Sequence, residues 1–219
     1  MLPDRLIAGY RAFLDERLPR ERARFEAQAE RQTPEVMVIG CCDSRVSPEV
    51  IFDASPGELF VVRNVANLVP PYETGGEYHG TSAALEFAVQ ALRVKHIVVL
   101  GHARCGGIRA FADDAAPLSP GDFIGKWMGL LGPAAERVAA GGAREDYLTR
   151  LELASIEHGL RNLMTFPCVR ILVERGKLHL HGAYFGVATG DLLVRDPESG
   201  VFAPVTADRS AKVSNLRCR

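Results

Sequence analysis

Two short stretches of the 219-residue chain carry residue types able to hold and use a metal ion: Gly40-Cys41-Cys42-Asp43-Ser44-Arg45 and Gly101-His102-Ala103-Arg104-Cys105-Gly106-Gly107. Cys41, His102 and Cys105 offer two thiolates and one imidazole, a set that zinc accepts readily. Three protein ligands leave the fourth tetrahedral position free for water, as in catalytic sites. A structural zinc normally closes its shell with a fourth Cys or His from paired short knuckles, and the sequence has no such pair. Taken alone, His-x-x-Cys can equally be a pair of polarisable residues buried in a turn, and Cys-x-Asp-x-Arg says little more. Together, each directly after an apolar run and the second followed by Gly-Gly, they point to a metal site, since a two-glycine step lets backbone pass close to a ligand.

Asp43 stands two residues from Cys41, within reach of the metal. It can accept a hydrogen bond from a water there, or swing in and become a fourth ligand itself. The fork-shaped guanidinium of Arg45 can hold the carboxylate in a bidentate pair and keep it off the metal. The plainer alternative is a local surface ion pair.

The elements that must position these residues are short and apolar. Residues 36–39, 59–62, 96–100 and 169–173 are rich in β-branched residues without strict alternation, which predicts strands buried on both faces. Helical spacing appears at 81–93, and helices are expected near 106–113, 122–140 and 145–165. Alternating strands and helices predict an α/β fold with a mainly parallel sheet flanked by helices. Cys41 and His102 then fall at the carboxyl ends of strands, where open α/β sheets place their ligands. Residues 178–195 read as a hairpin turning near Gly190-Asp191, adding an antiparallel edge. Residues 3–31 form a charged helical arm interrupted at Pro19, either a solvated surface helix or an arm lying across a partner subunit. The expected organisation is a single domain: arm 1–31, core 32–195 and C-terminal tail 196–219, the last ten residues polar and prone to fray or to extend onto a neighbour.

Composition narrows the function. Lys plus Arg number 26 against 27 for Asp plus Glu, with no long run of one sign, so neither nucleic acid nor an anionic membrane is called for as a partner. No window approaches the roughly 18 apolar residues of a membrane span, and the N-terminus lacks the pattern of a secretory signal. A cytoplasmic location is expected. Five cysteines are too few and too dispersed for a disulfide scaffold. Cys42, pointing away from its neighbour Cys41, is expected to be structural or inert, as are Cys168 and Cys218.

The chain resembles the β-class carbonic anhydrases. It matches both Cys-x-Asp-x-Arg and His-x-x-Cys-Gly-Gly, and the similarity extends through Ser44-Arg45-Val46, Asp53 with Pro56-Gly57-Glu58, Val62-Arg63-Asn64-Val65-Ala66-Asn67 and His96-Ile97-Val98-Val99-Leu100-Gly101-His102, from about residue 30 to 190. The resemblance implies one zinc ion held by Cys41, His102 and Cys105, with Asp43 and Arg45 as catalytic residues. It also implies reversible hydration of carbon dioxide to bicarbonate and a proton by attack of zinc-bound hydroxide. With two thiolates already neutralising the ion, its water should be less acidic than on a three-histidine zinc, and activity should rise towards alkaline pH. Plant-type members suggest Gln32, Phe60, Val65 and Phe87 as substrate-binding positions, Phe87 standing where some members have Tyr. Some bacterial members use a second bicarbonate site to favour an inactive state with Asp on zinc. The Trp of that site is Val38 here, and its Tyr aligns with Phe185 or the adjacent Tyr184, so no such switch is expected and the centre should be open at neutral pH. Members pair through N-terminal helices and a sheet edge, which implies a homodimer or homotetramer.

Among the histidines, His79 is a candidate proton shuttle, whereas His96, His158, His179 and His181 are expected to be packing or surface residues. Two competing functions fit the same ligands: hydrolysis of carbon disulfide or carbonyl sulfide, and a non-catalytic zinc module in which Asp43 closes the shell. No insertion suggests a different substrate tunnel, and retention of Arg45 argues against permanent ligation by Asp43.

Overall fold

The computed structural model describes residues 1–75, 79–138 and 141–205; Cys218 and most of the expected tail lie outside them. Six strands form one sheet in the order β2-β1-β3-β4-β5-β6. Strands β1 (Val36–Cys41), β2 (Leu59–Asn64), β3 (His96–His102) and β4 (His179–Phe185) run parallel, while β5 (Leu192–Arg195) and β6 (Phe202–Pro204) add antiparallel to the β4 edge. The expected hairpin is therefore β4–β5, with β4 itself the fourth parallel strand. Its edge continues through β6 into residues assigned to the tail.

The helices are α1 (Asp4–Ala12), α2 (Leu18–Gln28), α3 (Pro48–Ile51), α4 (Gly80–Glu86), α5 (Gly106–Ala112), α6 (Phe123–Met128), α7 (Gly132–Ala135), α8 (Arg144–Leu163) and α9 (Pro167–Glu174). In the arm, helical backbone continues from α1 into α2 through a π-helical turn at Phe13–Arg17. That turn ends two residues before Pro19, which has no N–H to give to the helix. Phe13 and Phe25, on either side of the proline, meet edge-to-face at 5.8 Å. Neither α1 nor α2 buries any residue within the chain.

Residues 169–173 form part of α9 and not a strand. A five-residue segment with four apolar residues and Arg170 does not distinguish the two by periodicity. Pro167 at the start favours a helix, and Val169, Leu172 and Val173 pack on the core while Ile171 is exposed, which is helical spacing. The stretch 122–140 is likewise not one helix: Gly129, Gly132 and Pro133 break it into α6, a 3₁₀ turn and α7, with 139–140 outside the described residues.

The principal core lies between the sheet and α4, α8 and α9, built from Met37, Ile39, Ile97, Val99, Leu85, Ile156, Leu163 and Val169 among others. Helix α8 packs on β3 and β4 so closely that a Cβ on Gly101 would come within 2.7 Å of Ile156 Cδ1. A second cluster, Cys41, Val46, Ala66, Cys105, Ile108, Met128 and Leu151, gathers at the carboxyl ends of β1–β3. No helix among the described residues is long and apolar enough to cross a membrane.

Candidate metal centre

Parallel pairing of β1 with β3 brings the ends of both strands level, Gly40 opposite Leu100, so that Cys41 and His102 emerge side by side. Cys105 follows after a turn in which Arg104 takes a left-handed conformation (φ 58°), and it forms the N-cap of α5. The ligand atoms of Cys41, His102 and Cys105 all lie within 4.8 Å of one another, and all three residues are buried. Gly107 lets the start of α5 pack closely on the segment after β2, because a Cβ there would stand 2.8 Å from Val65 Cγ1.

The donor set fits a zinc ion on two counts. His102 Nδ1 is within hydrogen-bond distance of the Ala103 carbonyl, at 2.9 Å, which places the proton on Nδ1 and the lone pair on Nε2. That Nε2 is buried and has no hydrogen-bond partner among the described residues, an expensive state for a polar atom unless a ligand completes it. The two thiols show the same shortage of positive charge. The Cys105 thiol against Cys41 stabilises the Cys41 thiolate and brings its pKa down to about 4, against the opposing effect of burial. Cys105, facing that thiolate and itself buried, is pushed up. Burial works to lower the pKa of His102, but the neighbouring Cys41 thiolate outweighs it and the net shift is upward. A dication is what lets both sulfurs ionise together.

Asp43 leans over the centre. Its Oδ1 accepts from Arg45 Nε at 2.9 Å and from the Arg45 main-chain N–H at 3.0 Å, and its Oδ2 accepts from Arg45 Nη2 at 2.6 Å. These hydrogen bonds hold the Asp43 carboxyl well below the usual carboxylate range, although burial opposes them. With both oxygens engaged, Oδ2 still lies 4.0 Å from His102 Nε2. Arg45 Nη2 also reaches the Arg104 carbonyl at 3.3 Å, tying the β1 loop to the β3 loop.

Several supporting residues escape a reading of the motifs. Glu152 of α8, 3% exposed, accepts the main-chain N–H of Cys105 at 3.0 Å and the hydroxyl of Tyr184 at 2.7 Å. Burial raises its pKa. Its signal in the sequence is a charge at helical spacing among Leu148, Leu151 and Ile156. Arg63 donates to the carbonyls of Cys41 (2.8 Å) and Asp43 (2.6 Å), fixing the backbone between ligand and dyad.

The expected pocket residues separate. Val65 packs with the cluster of Cys41 and Cys105, and its carbonyl accepts Trp127 Nε1 at 2.8 Å. Phe60 pairs in register with Met37, four residues before Cys41, so it sits about 13 Å away along the strand. Phe87 lies against Phe60, ring centroids 5.9 Å apart, and is 48% exposed. Gln32 is exposed between α2 and β1. Within one chain, then, only Val65 reaches the centre. His79 precedes α4 and lies 2.7 Å from the Gly75 carbonyl through Nε2, and Cys42 is exposed.

A family model described as carbonic anhydrase matches residues 36–192. Beta carbonic anhydrase 3 of Arabidopsis thaliana is 35% identical over 193 residues, covering 85% of this chain and 74% of the relative. Among solved structures, the β-carbonic anhydrase CcaA superimposes with a TM-score of 0.81 at 29% identity, over 94% of this chain and 92% of its own. A structure of tetrameric β-carbonic anhydrases from the filamentous ascomycete Sordaria macrospora gives 0.70 at 30% identity, over 91% and 94%.

Proposed function

This chain belongs to the β-class carbonic anhydrases, zinc lyases of carbon dioxide hydration, and we propose that Asp43 and Arg45 act in it as a dyad that keeps the zinc centre open. Cys41, His102 and Cys105 would hold a zinc ion, which when bound would acidify water to give a hydroxide nucleophile. The observation that carries the proposal is the arrangement of Asp43: a carboxylate directed at the centre, yet held by two guanidinium N–H groups and 4.0 Å from the unpartnered Nε2 of His102. Each oxygen keeps a lone pair beyond those Arg45 uses, so Asp43 can accept an O–H and orient the attacking water.

Val38, where a bicarbonate switch would need Trp, is fully buried among Leu100 and Ala183 and offers an anion no donor, so the open state is assigned at neutral pH. Val65 contributes an apolar wall suited to a small apolar substrate. Phe60, with Phe87 against it, lies too far from its own Cys41 to line its pocket, and Gln32 is exposed ahead of β1. We assign them to the pocket of a neighbouring copy in a homodimer or homotetramer. Support comes from the exposed apolar positions Leu6, Tyr10 and Leu14 of the arm, four residues apart, and from the tetrameric relatives. A cytoplasmic setting fits the four described cysteines, all free, because a reducing compartment keeps Cys41 and Cys105 available to metal.

Stopped-flow hydration of carbon dioxide by metal-quantified protein, from about pH 6.5 to 9, tests the dyad. Activity present at neutral pH, rising towards alkaline pH, and abolished by Cys41→Ala and Asp43→Ala is the expected outcome. Activity confined to above about pH 8 would show Asp43 on the metal and overturn the open state.

A further inference from the structure

At the far end of the sheet, three histidines meet that the centre does not use. Gly101 and Gly182 face Ile156 of α8, so alternation along the strands places His96, Val98, Leu100 and His102 of β3, and His179, His181 and Ala183 of β4, on the opposite sheet face. His96 pairs in register with His179, and Val98 with His181. The His96 ring lies 5.3 Å from both the His179 and the His181 ring, and His96 Nδ1 is 3.1 Å from His181 Nε2. His96 and His181 are half-buried, and His179 is exposed. His96 and His102 are six residues apart on one strand, about 20 Å, so this cluster is separate from the Cys-His-Cys centre.

We propose that His96, His179 and His181 form a second metal site, a three-imidazole site for a divalent transition ion such as Zn²⁺, at the amino end of the parallel sheet. Two imidazole nitrogens on one tetrahedral zinc, with bonds of about 2.0–2.1 Å, stand about 3.3–3.4 Å apart. The 3.1 Å between His96 Nδ1 and His181 Nε2 is already close to that separation. One proton bridges these two nitrogens when both rings are neutral. For an ion to take both lone pairs, the ring that holds this proton passes it through solvent exchange to its own other nitrogen, so both rings stay neutral and no net proton is lost. His179 supplies the third ligand. The donor nitrogens of the three rings do not all lie within 4.8 Å of one another, and the exposed His179 side chain has the rotameric freedom to close the gap. Burial and the two neighbouring histidines lower the pKa of His181, which favours its neutral, metal-binding form. The adjacent Lys95 ammonium is already paired with Glu35, which blunts its repulsion of a cation. Backbone order is also in place: His96 N–H donates to the Glu35 carbonyl at 3.1 Å and His179 N–H to the Lys95 carbonyl at 2.9 Å.

The test is zinc stoichiometry of the full chain, first loaded with one equivalent and then dialysed against excess Zn²⁺. Wild type is expected to hold two equivalents, and His96→Gln and His179→Gln to keep the first while weakening the second by at least the roughly tenfold that loss of an outer-shell partner alone costs. A single equivalent in wild type, or a second one undiminished in both variants, overturns the proposal. Nitrogen-15 histidine spectra of wild type give an independent reading that needs no variant. Zn²⁺ beyond the first equivalent should move the ring nitrogens of His96, His179 and His181; shifts confined to His79 or His158 would place the ion elsewhere and sink the site.

Discussion

Arg45 is half exposed, and in most surroundings an ion pair so placed is worth little. Here its consequence is geometric, because its two N–H groups occupy the carboxylate that would otherwise be free to turn onto the metal. Arg45→Ala should therefore retain one zinc per chain and lose activity near neutral pH by on the order of 10²-fold or more, read by stopped-flow alongside metal analysis. Glu152 acts one step further out, holding the Cys105 main chain. Glu152→Gln keeps the volume but weakens a charge-assisted acceptor, and should lower zinc affinity by about 10- to 100-fold in chelator competition, with helical content unchanged. The ligands and dyad were legible in the sequence because each sits in a local motif at a strand end. Glu152 was not, since its link to Cys105 spans 47 residues and exists only once α8 has packed.

Among the elements, α8 is the support on which the centre rests. It meets β3 at Gly101, immediately before His102, and a methyl there must displace Ile156, 2.7 Å from the added Cβ. Gly101→Ala should destabilise by about 1–3 kcal/mol, as overpacking of a tight core contact does, measurable as a lower urea midpoint. The same helix carries His158, whose Nε2 lies 3.2 Å from Asn162 Nδ2, a donor that requires the neutral ring. Burial, then the charges of Arg161 and Arg137, lower its pKa. A base with a lowered folded-state pKa contributes nothing when both states are neutral, and the unfolded chain takes the proton first as pH falls. Stability should thus be full above about pH 6.5, the unfolded value, and decline below it until the folded pKa is passed. Urea midpoints between pH 8 and 5.5 should show this decline, shallower in His158→Gln. Sequence patterning identified α8 by its long helical period, and β1, β2 and β3 as short β-branched runs between helical stretches. It misassigned 169–173 because four apolar residues around Arg170 satisfy a buried strand and a helix stripe equally, and only the packing of Val169, Leu172 and Val173 decides.

For the molecule as a whole, the arm and the stranded pocket residues pose one problem with one solution. The α1–α2 arm buries no residue of its own, yet presents Leu6, Tyr10 and Leu14, 57%, 61% and 38% exposed, along one side. Such a stripe gains free energy only by covering another surface. Phe60 and Phe87 form an apolar pair with Phe87 half exposed, distant from the centre of their own chain. The arm itself is anchored at its base, where Arg24 approaches Glu58 at 3.9 Å and the Gln28 side chain fills the space beside Gly57, whose φ of +86° suits glycine alone. The arm is thus fixed relative to the core while its apolar side faces outward, the disposition of a clasp on a second copy. Removal of residues 1–31 is therefore expected to shift sedimentation from dimer or tetramer to monomer. Zinc content should persist, because Cys41, His102 and Cys105 come from one chain, while hydration activity falls as the neighbouring Phe60 and Phe87 leave the pocket. Phe87→Ala in the full-length chain separates the two contributions: a raised KM with the oligomer intact assigns the aromatic pair to substrate binding across the interface. An unchanged KM with the same oligomer would confine the role of Phe60 and Phe87 to packing.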